Sequence, residues 1–205
     1  MASQEIGELL ALAHELRGVE FKAPGPRTNK PLFARVARAV LGMANHQHGG
    51  LVVIGVDDSA SKLTPIGLSP EQVETWKYDD VADSLAVYAD PSVSFELAVR
   101  EYAGESYVVI QVYEFEDVPV LCKKDYQDAK GESILRKGAC YVRSRRKPET
   151  SEIPSQEDMR DLLDLATEKR VRGFYAMAHT AGVMADGATR LSDEGLFNSQ
   201  LAELM

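Results

Sequence analysis

The chain has little of what several large classes of protein require. Its 205 residues include two cysteines, Cys122 and Cys140, which are too few for a disulfide framework or for a structural zinc site with four Cys or His ligands. We interpret them as buried thiols. No apolar run reaches the roughly 18 to 20 residues that cross a bilayer, and the N-terminal MASQEIGELL lacks the regions of a signal peptide. These absences predict a cytoplasmic protein outside the membrane.

Positive charge is also scarce. The sequence has 23 Lys and Arg against 32 Asp and Glu, a net charge of -9 at pH 7. This balance argues against a general nucleic-acid coat protein, because phosphate binding relies on clustered Lys and Arg. The charge is unevenly distributed, however: residues 141–147, YVRSRRK, include four cations, whereas residues 71–90 are strongly acidic. An acidic chain with one positive face is therefore compatible with the sequence.

Familiar nucleotide and hydrolase motifs are missing. The chain contains no GxxxxGK[ST] loop, no GxGxxG, no HExxH and no GxSxG, so the sequence does not support ATP binding through such a motif. With 44% apolar and 27% charged residues, the chain has the composition of a folded globular protein. Its length fits one domain with a sizeable core, or one domain plus an appendage.

Helical and strand patterns are both present. Spacing of apolar residues predicts a helix over about residues 3–17, and capping or proline signals predict helices over 31–45, 70–89 and 158–178. Alternating or β-branched runs predict strands at 19–22, 51–56, 94–102, 106–115, 118–123 and 140–144. The expected fold class is α+β, with a mixed or antiparallel sheet flanked by helices. We expect one domain over 1–165, followed by a C-terminal helix and tail over 166–205 that is either flexible or in contact with a partner subunit.

Two glutamates stand on either side of the first predicted turn. Glu15 lies near the end of the first helix and Glu20 in the following VEFK strand, with Gly18 between them. Together with Asp57 or Asp58, at the end of the LVVIGV strand, they could supply the hard oxygen ligands that Mg²⁺ or Mn²⁺ prefers. The alternative from spacing alone is a solvated helix end.

Two cationic features accompany these carboxylates. Lys22 shares a strand face with Glu20, because alternate residues of a strand point the same way, so it is placed to contact a phosphate or to offset carboxylate repulsion. The second feature is a late basic segment with two open interpretations: contact with a nucleic-acid backbone, or a solvated strand edge whose charges discourage edge pairing. The residues of this segment are Arg143, Arg145, Arg146 and Lys147.

An ordered set of short motifs resembles the Schlafen AlbA-like family. The set comprises a helix followed by VEFK, a helix ending in MANHQHGG, the strand LVVIGVDD, the segment TPIGL and the late strand CYVRS. The resemblance extends from about Glu15 to Ile153. It departs from the family pattern at His46 and His48, where small or polar residues are usual. Tyr141 and Arg143 match the Y-x-R of the late strand, which favours the nucleic-acid interpretation of that segment.

The resemblance implies a site and an activity. In ribonuclease members of the family, two glutamates, an aspartate and a lysine form the metal-dependent site; here they correspond to Glu15, Glu20, Asp57 or Asp58, and Lys22. The implied function is a metal-dependent endoribonuclease that uses Mg²⁺ or Mn²⁺ to cut tRNA or other structured RNA. The alternative is a non-catalytic regulatory module that binds DNA or RNA, and a third hypothesis is a protein-interaction scaffold. The resemblance also implies a homodimer, because Schlafen-like cores form a basin from two similar lobes.

Overall fold

The computed structural model describes residues 7, 10, 17–57, 63–144 and 149–181. The chain divides into two compact units, residues 1–166 and 167–205. Of the predicted helix over 3–17, the structure describes Gly7 and Leu10, which are helical, and Arg17, which lies in a turn. The predicted tail beyond residue 181 lies outside them altogether.

The described elements comprise helices and mostly short strands. The helices are α1 (Lys30–Ala44), α2 (Pro70–Val73), α3 (Tyr78–Ala86) and α4 (Gln156–Thr180). The strands are β1 (Val19–Lys22), β2 (Gly50–Ile54), β3 (Val56–Asp57), β4 (Thr64–Pro65), β5 (Ala89–Asp90), β6 (Phe95–Tyr102), β7 (Glu105–Val112), β8 (Leu121–Cys122), β9 (Tyr126–Gln127), β10 (Ser133–Leu135), β11 (Tyr141–Arg143) and β12 (Thr150–Glu152).

A four-stranded mixed sheet organises the first unit. Its strand order is β1-β2-β7-β6; β1 runs parallel to β2, whereas β2, β7 and β6 pair antiparallel. Pairing places Glu20 opposite Val52 and Lys22 opposite Ile54. The predicted α+β class with a mixed sheet is confirmed. The strand order makes β1 an outer strand of this sheet, next to the central and fully apolar β2.

Helix α1 packs against both the main sheet and a set of small strands. It contacts β1, β2 and β7 as well as β10, β11 and β12, and for this reason most of its residues are buried rather than a single stripe. Asn29 caps the helix by accepting a hydrogen bond from the Leu32 N–H. The helix thus begins at Lys30, one residue before the predicted start at Pro31.

The motif that follows α1 connects three parts of the core. The buried Asn45 side chain donates to the carbonyls of Val120 and Tyr141, at 2.8 and 2.9 Å, and accepts from the Val120 N–H at 2.8 Å. Gly49 adopts a φ of 69°, and a Cβ there would lie 2.0 Å from the Val112 carbonyl oxygen. Asn45 therefore fixes β11 relative to α1, and Gly49 allows the chain to enter β2 beside β7.

The helix predicted from Pro70 to Ala89 is wrong in its continuity. Its start is confirmed by the Ser69 capping box, but α2 ends at Val73, α3 begins at Tyr78, and Ala89 belongs to strand β5. The interruption buries Trp76, whose indole N–H donates to the Gly25 carbonyl at 3.0 Å. The Arg27 Nε donates to the Thr75 carbonyl at 3.0 Å. Burial of the Trp76 ring and the hydrogen bond to the Thr75 carbonyl thus take the place of a helical turn between α2 and α3.

Most of the other predicted elements are confirmed, but one is divided and several strands were not predicted. The hairpin of β6 and β7, the strands around 121 and 141, and the last helix with its Ser155 cap are confirmed; the Ser155 hydroxyl accepts from the Asp158 N–H at 3.1 Å. The run at 51–56 divides at Gly55, which has a φ of 118°, into β2 and β3. Strands β4, β9, β10 and β12 were not predicted, because each has two or three residues and none lies within a longer alternating or β-branched run of the kind that marked 118–123 and 140–144.

No helix of the described part of the chain has both the length and the apolar character needed to span a bilayer.

Candidate functional site

Glu20 lies at the centre of a buried ionic cluster. Its residue exposure is 6%. One carboxylate oxygen, Oε1, lies 2.6 Å from the Lys22 Nζ. The other, Oε2, accepts hydrogen bonds from the Arg143 Nη1 and the Thr150 hydroxyl, both at 2.6 Å. The EFK strand and the two late strands β11 and β12 are therefore linked through a single carboxylate.

Arg143 is the second cation that pairs with Glu20 in this cluster. Its side chain has 0% exposure. Besides Glu20, its guanidinium donates from Nε to the Arg17 carbonyl at 3.0 Å and from Nη2 to the Val19 carbonyl at 3.1 Å. Arg143 thereby holds β11 against the chain entering β1, and its charge depends on Glu20 for compensation.

The cluster determines the ionisation of Glu20. Burial by itself raises the pKa of this carboxyl, but the charges of Lys22 and Arg143 and the hydrogen bonds from Lys22 and Thr150 outweigh it, so the pKa lies below its usual value of 4.5. Glu20 is consequently a carboxylate at neutral pH, stabilised by two cations.

The predicted metal ligands can be compared with this geometry in part. Glu15 and Asp58 lie outside the described residues. Asp57 is half-buried in β3, where it pairs with Thr64. Both oxygens of Glu20 are already within 2.6 Å of protein donors, and the described part of the chain contains no group of three His, Cys, Asp or Glu suited to a metal ion. As packed here, Glu20 does not fit a divalent cation, because the ion would compete with Lys22 and Arg143 for the same oxygens.

The predicted nucleic-acid contacts of the late strand also differ from the structure. Tyr141 and Arg143 are 2% and 3% exposed, so in this packing neither presents its side chain to a macromolecular ligand. Their role is internal: Arg143 pairs with Glu20, and Tyr141 packs against α1. Arg145, Arg146 and Lys147 lie outside the described residues.

A cleft of about 450 Å³ opens beside the Glu20 cluster. Its walls come from β1, from α1, and from the region of β10 and β12. The lining residues are Glu20, Lys22, Arg35, Arg38, Leu63, Glu132, Ile134, Glu149, Thr150 and Ser151. The cleft therefore combines the predicted residues Glu20 and Lys22 with polar side chains from elements distant in sequence.

Two arginines of α1 were not predicted to belong to the site. Arg35 and Arg38 are three residues apart, so they lie on one face of the helix. The Arg35 side chain is 47% exposed and lies 3.9 Å from carboxylates of Asp128 and Glu132. Arg38 interrupts an otherwise buried stretch of α1. A cation within an apolar helix was the available sequence signal, since such residues are rarely placed there without a partner or ligand.

The cysteines have no place in this site. Cys122 is buried and Cys140 half-buried, in line with the predicted buried thiols. Burial raises the pKa of Cys140 to about 11. At neutral pH this thiol is protonated, and a protonated thiol is a poor nucleophile.

Comparison with known proteins identifies the family. The fold and cleft define an α+β domain with an ionic cluster at one edge of its sheet, and residues 15–148 match the family described as Schlafen, AlbA_2. This match covers more than half of the chain, which therefore belongs to the Schlafen, AlbA_2 family. No curated protein matches the chain.

Eleven chains of solved structures match this chain, among them the following two. One is the DIP2311 protein from Corynebacterium diphtheriae, with 16% identity and a TM-score of 0.46, covering 73% of this chain and 26% of that protein. The other is the N-terminal domain of a protein from Nitrosomonas europaea named as related to the ATP-dependent DNA helicase RecG. It has 20% identity and a TM-score of 0.43, covering 70% of this chain and 85% of that domain. The chain thus spans about a quarter of the length of the Corynebacterium protein.

Proposed function

We propose that this domain binds nucleic acid in the cleft beside β1. The observation that carries the proposal is the convergence of Lys22, Arg35 and Arg38 on one cleft from two separate elements. Such cations contact phosphates, and these contacts supply most of the sequence-independent affinity for nucleic acid. Membership of the Schlafen, AlbA_2 family supports the same proposal, because the sequence motifs resemble those of nucleases and regulators in that family.

The acidic character of the chain is compatible with this site. Five of its exposed carboxylates lie in or near α2 and α3, away from the cleft lining: Glu71, Glu74, Asp79, Asp80 and Asp83. Within the cleft, the charge of Glu20 is offset by Lys22 and by Arg143 behind it. Glu132 and Glu149 balance the charges of Arg35 and Arg38 in the lining, which leaves the single excess positive charge of the Glu20 cluster, so we expect modest rather than tight binding.

Binding should depend strongly on salt. We expect the protein to bind single-stranded RNA or DNA at low ionic strength, with affinity falling steadily as salt rises, since each phosphate contact contributes a slope of about -0.7 in a double logarithmic plot. Fluorescence anisotropy over a salt series measures the slope. If neither RNA nor DNA binds at the lowest salt, the nucleic-acid proposal fails and a protein-interaction scaffold becomes the better interpretation.

A more specific proposal than nucleic-acid binding is that the domain cleaves RNA with the help of a metal ion. Its support is the family resemblance and the position of Glu20 and Lys22 on the cleft wall; the occupied oxygens of Glu20 count against it. The predicted cofactor, Mg²⁺ or Mn²⁺, and the homodimer belong to this proposal, and the non-catalytic module is its alternative.

Asp57 offers the clearer test of cleavage, because replacing Glu20 also removes a structural ion pair. Purified protein is incubated with total tRNA and Mn²⁺, beside Asp57→Asn and an EDTA control. If the protein is a metal-dependent nuclease, EDTA should lower the rate of RNA cleavage at least tenfold. If Asp57 is a metal ligand, Asp57→Asn should lower the rate of cleavage by a similar factor. RNA that is bound but uncut by wild type would favour the non-catalytic module.

A further inference from the structure

Arg38 has an unusual hydrogen-bonding state. Its Nε is the one buried side-chain nitrogen or oxygen without a hydrogen-bond partner among the residues that the structure describes. Buried polar groups in folded proteins almost always have a partner, and an exception calls for an explanation such as a ligand or ion. Arg38 also lines the cleft, and because its Nε is enclosed by the protein, a ligand entering there meets the terminal nitrogens of the guanidinium.

The orientation of Arg38 is fixed by Tyr141. The guanidinium carbon lies 5.3 Å from the centroid of the tyrosine ring, within the range of a cation–π interaction. The ring is held in turn by its hydroxyl, which accepts a hydrogen bond from the Arg136 N–H at 2.9 Å. Stacking of this kind occupies the flat face of the guanidinium and leaves its N–H edges for a planar or tetrahedral oxyanion.

We propose that Arg38 binds a backbone phosphate of the nucleic acid, with its two terminal nitrogens donating to two phosphate oxygens. Arginine forms such paired contacts with phosphate, whereas lysine acts as a point charge. Arg35, one helical turn earlier and more exposed, contacts a neighbouring phosphate. Tyr141 is a positioning residue that holds Arg38 towards the cleft. This inference rests on the proposed nucleic-acid function and specifies which group performs it.

Replacing Arg38 with glutamine tests the assignment. The probes are a fluorescein-labelled single-stranded RNA and the same sequence as DNA, measured by anisotropy over a salt series. Arg38→Gln should weaken binding about tenfold, since a hydrogen bond to a charged group contributes about this factor, and should reduce the salt slope by about 0.7 for the lost phosphate contact. Thermal unfolding verifies that the variant is folded.

Two further variants separate charge from geometry. Lys77→Gln removes the same charge at an exposed position outside the cleft and should leave affinity nearly unchanged. Arg38→Lys keeps the charge but loses the paired donors, so we expect it to retain the salt slope while binding RNA several-fold more weakly than wild type. If Arg38→Lys binds as tightly as wild type, the paired contact is wrong.

The outcomes distinguish this inference from the proposal beneath it. Absence of any binding by wild type at low salt overturns both. Binding by wild type with Arg38→Gln indistinguishable from Lys77→Gln overturns the Arg38 assignment alone. An Arg38→Gln variant that loses affinity for inorganic phosphate but not for RNA identifies a site for free phosphate and also overturns the assignment.

Discussion

Replacement of Glu20 by glutamine is expected to lower the free energy of unfolding by about 3 to 5 kcal/mol, the usual cost of removing one partner from a buried ion pair. The variant leaves Arg143, with 0% side-chain exposure, without a compensating charge. It also places an amide where Oε1 and Oε2 now accept from Lys22 and Arg143. Urea denaturation followed by circular dichroism measures the loss.

Glu152→Gln is the matched control for this variant. Glu152 also pairs with an arginine, Arg136, but the two side chains are 41% and 60% exposed. Exposed pairs contribute about 0 to 1 kcal/mol, so we expect a correspondingly small change. Equal losses in the two variants would contradict a structural role for the Glu20 cluster.

The Glu20 contribution should also depend on pH. Because the folded-state pKa lies below the usual value of 4.5, the carboxylate contributes its full stability above that value and loses it as the pH falls through the folded pKa. The stability difference between wild type and Glu20→Gln should therefore be constant at neutral pH and shrink in acid below pH 4.5. A difference that widened on acidification would contradict the lowered pKa.

Gly49→Ala should destabilise the protein by about 2 to 5 kcal/mol, combining the cost of a left-handed residue with that of overpacking. Its φ is 69°, and an added Cβ would lie 2.0 Å from the Val112 carbonyl oxygen and 3.0 Å from the Val112 carbonyl carbon. Both obstacles are backbone atoms of β7, so relief requires β2 and β7 to separate. Thermal and urea unfolding measure the effect.

Gly104→Ala separates the two contributions. Gly104 has a φ of 84° but nothing within 4 Å of the position of an added Cβ. The conformational cost is therefore retained and the clash is absent, so we expect a loss of about 1 to 2 kcal/mol. If Gly49→Ala is no more harmful than Gly104→Ala, the close approach to β7 does not constrain the fold.

Local patterns predicted the framework of the domain well. The EFK strand, the helix after Pro31, the glycine-rich entry to β2 and the β6–β7 hairpin each carry a signal within a few residues. The break at Trp76 was not predictable in this way, because it depends on burying the indole against Gly25 and Phe33, which are far away in sequence. Tertiary packing there overrides an otherwise continuous helical pattern.

Only the residues of the candidate site that lie on β1 were predictable from the sequence. Glu20 and Lys22 follow from a strand motif, and alternation places them on one face. Their contacts could not be predicted from that motif, because Arg143, 123 residues away in sequence, pairs with Glu20 inside the fold. Arg143 was predicted from the same basic run as Arg145 and Arg146, but all three residues of β11 are buried, so its side chain lies inside the fold. A sequence pattern gives the face of a strand, and the neighbouring elements decide whether that face is buried.

Arg38 is another residue whose contacts could not be predicted from its position in the sequence. The position of Arg38 in an apolar stretch of α1 is visible in the sequence, but its stacking on Tyr141 and its unsatisfied Nε depend on the packing of α1 in the fold. The Y-x-R motif thereby acquires a physical interpretation: its tyrosine orients a cation at the cleft, and its arginine neutralises the carboxylate of the EFK strand.

The most direct test of the central claim is to locate the bound nucleic acid by NMR. In a titration of labelled protein with single-stranded RNA at low salt, amide shifts should concentrate at the cleft, at residues 20–22, 35–38 and 149–151, and should leave the acidic segment 71–83 unchanged. Shifts concentrated on another surface, or none at saturating RNA, would contradict the assignment of this cleft as the nucleic-acid site.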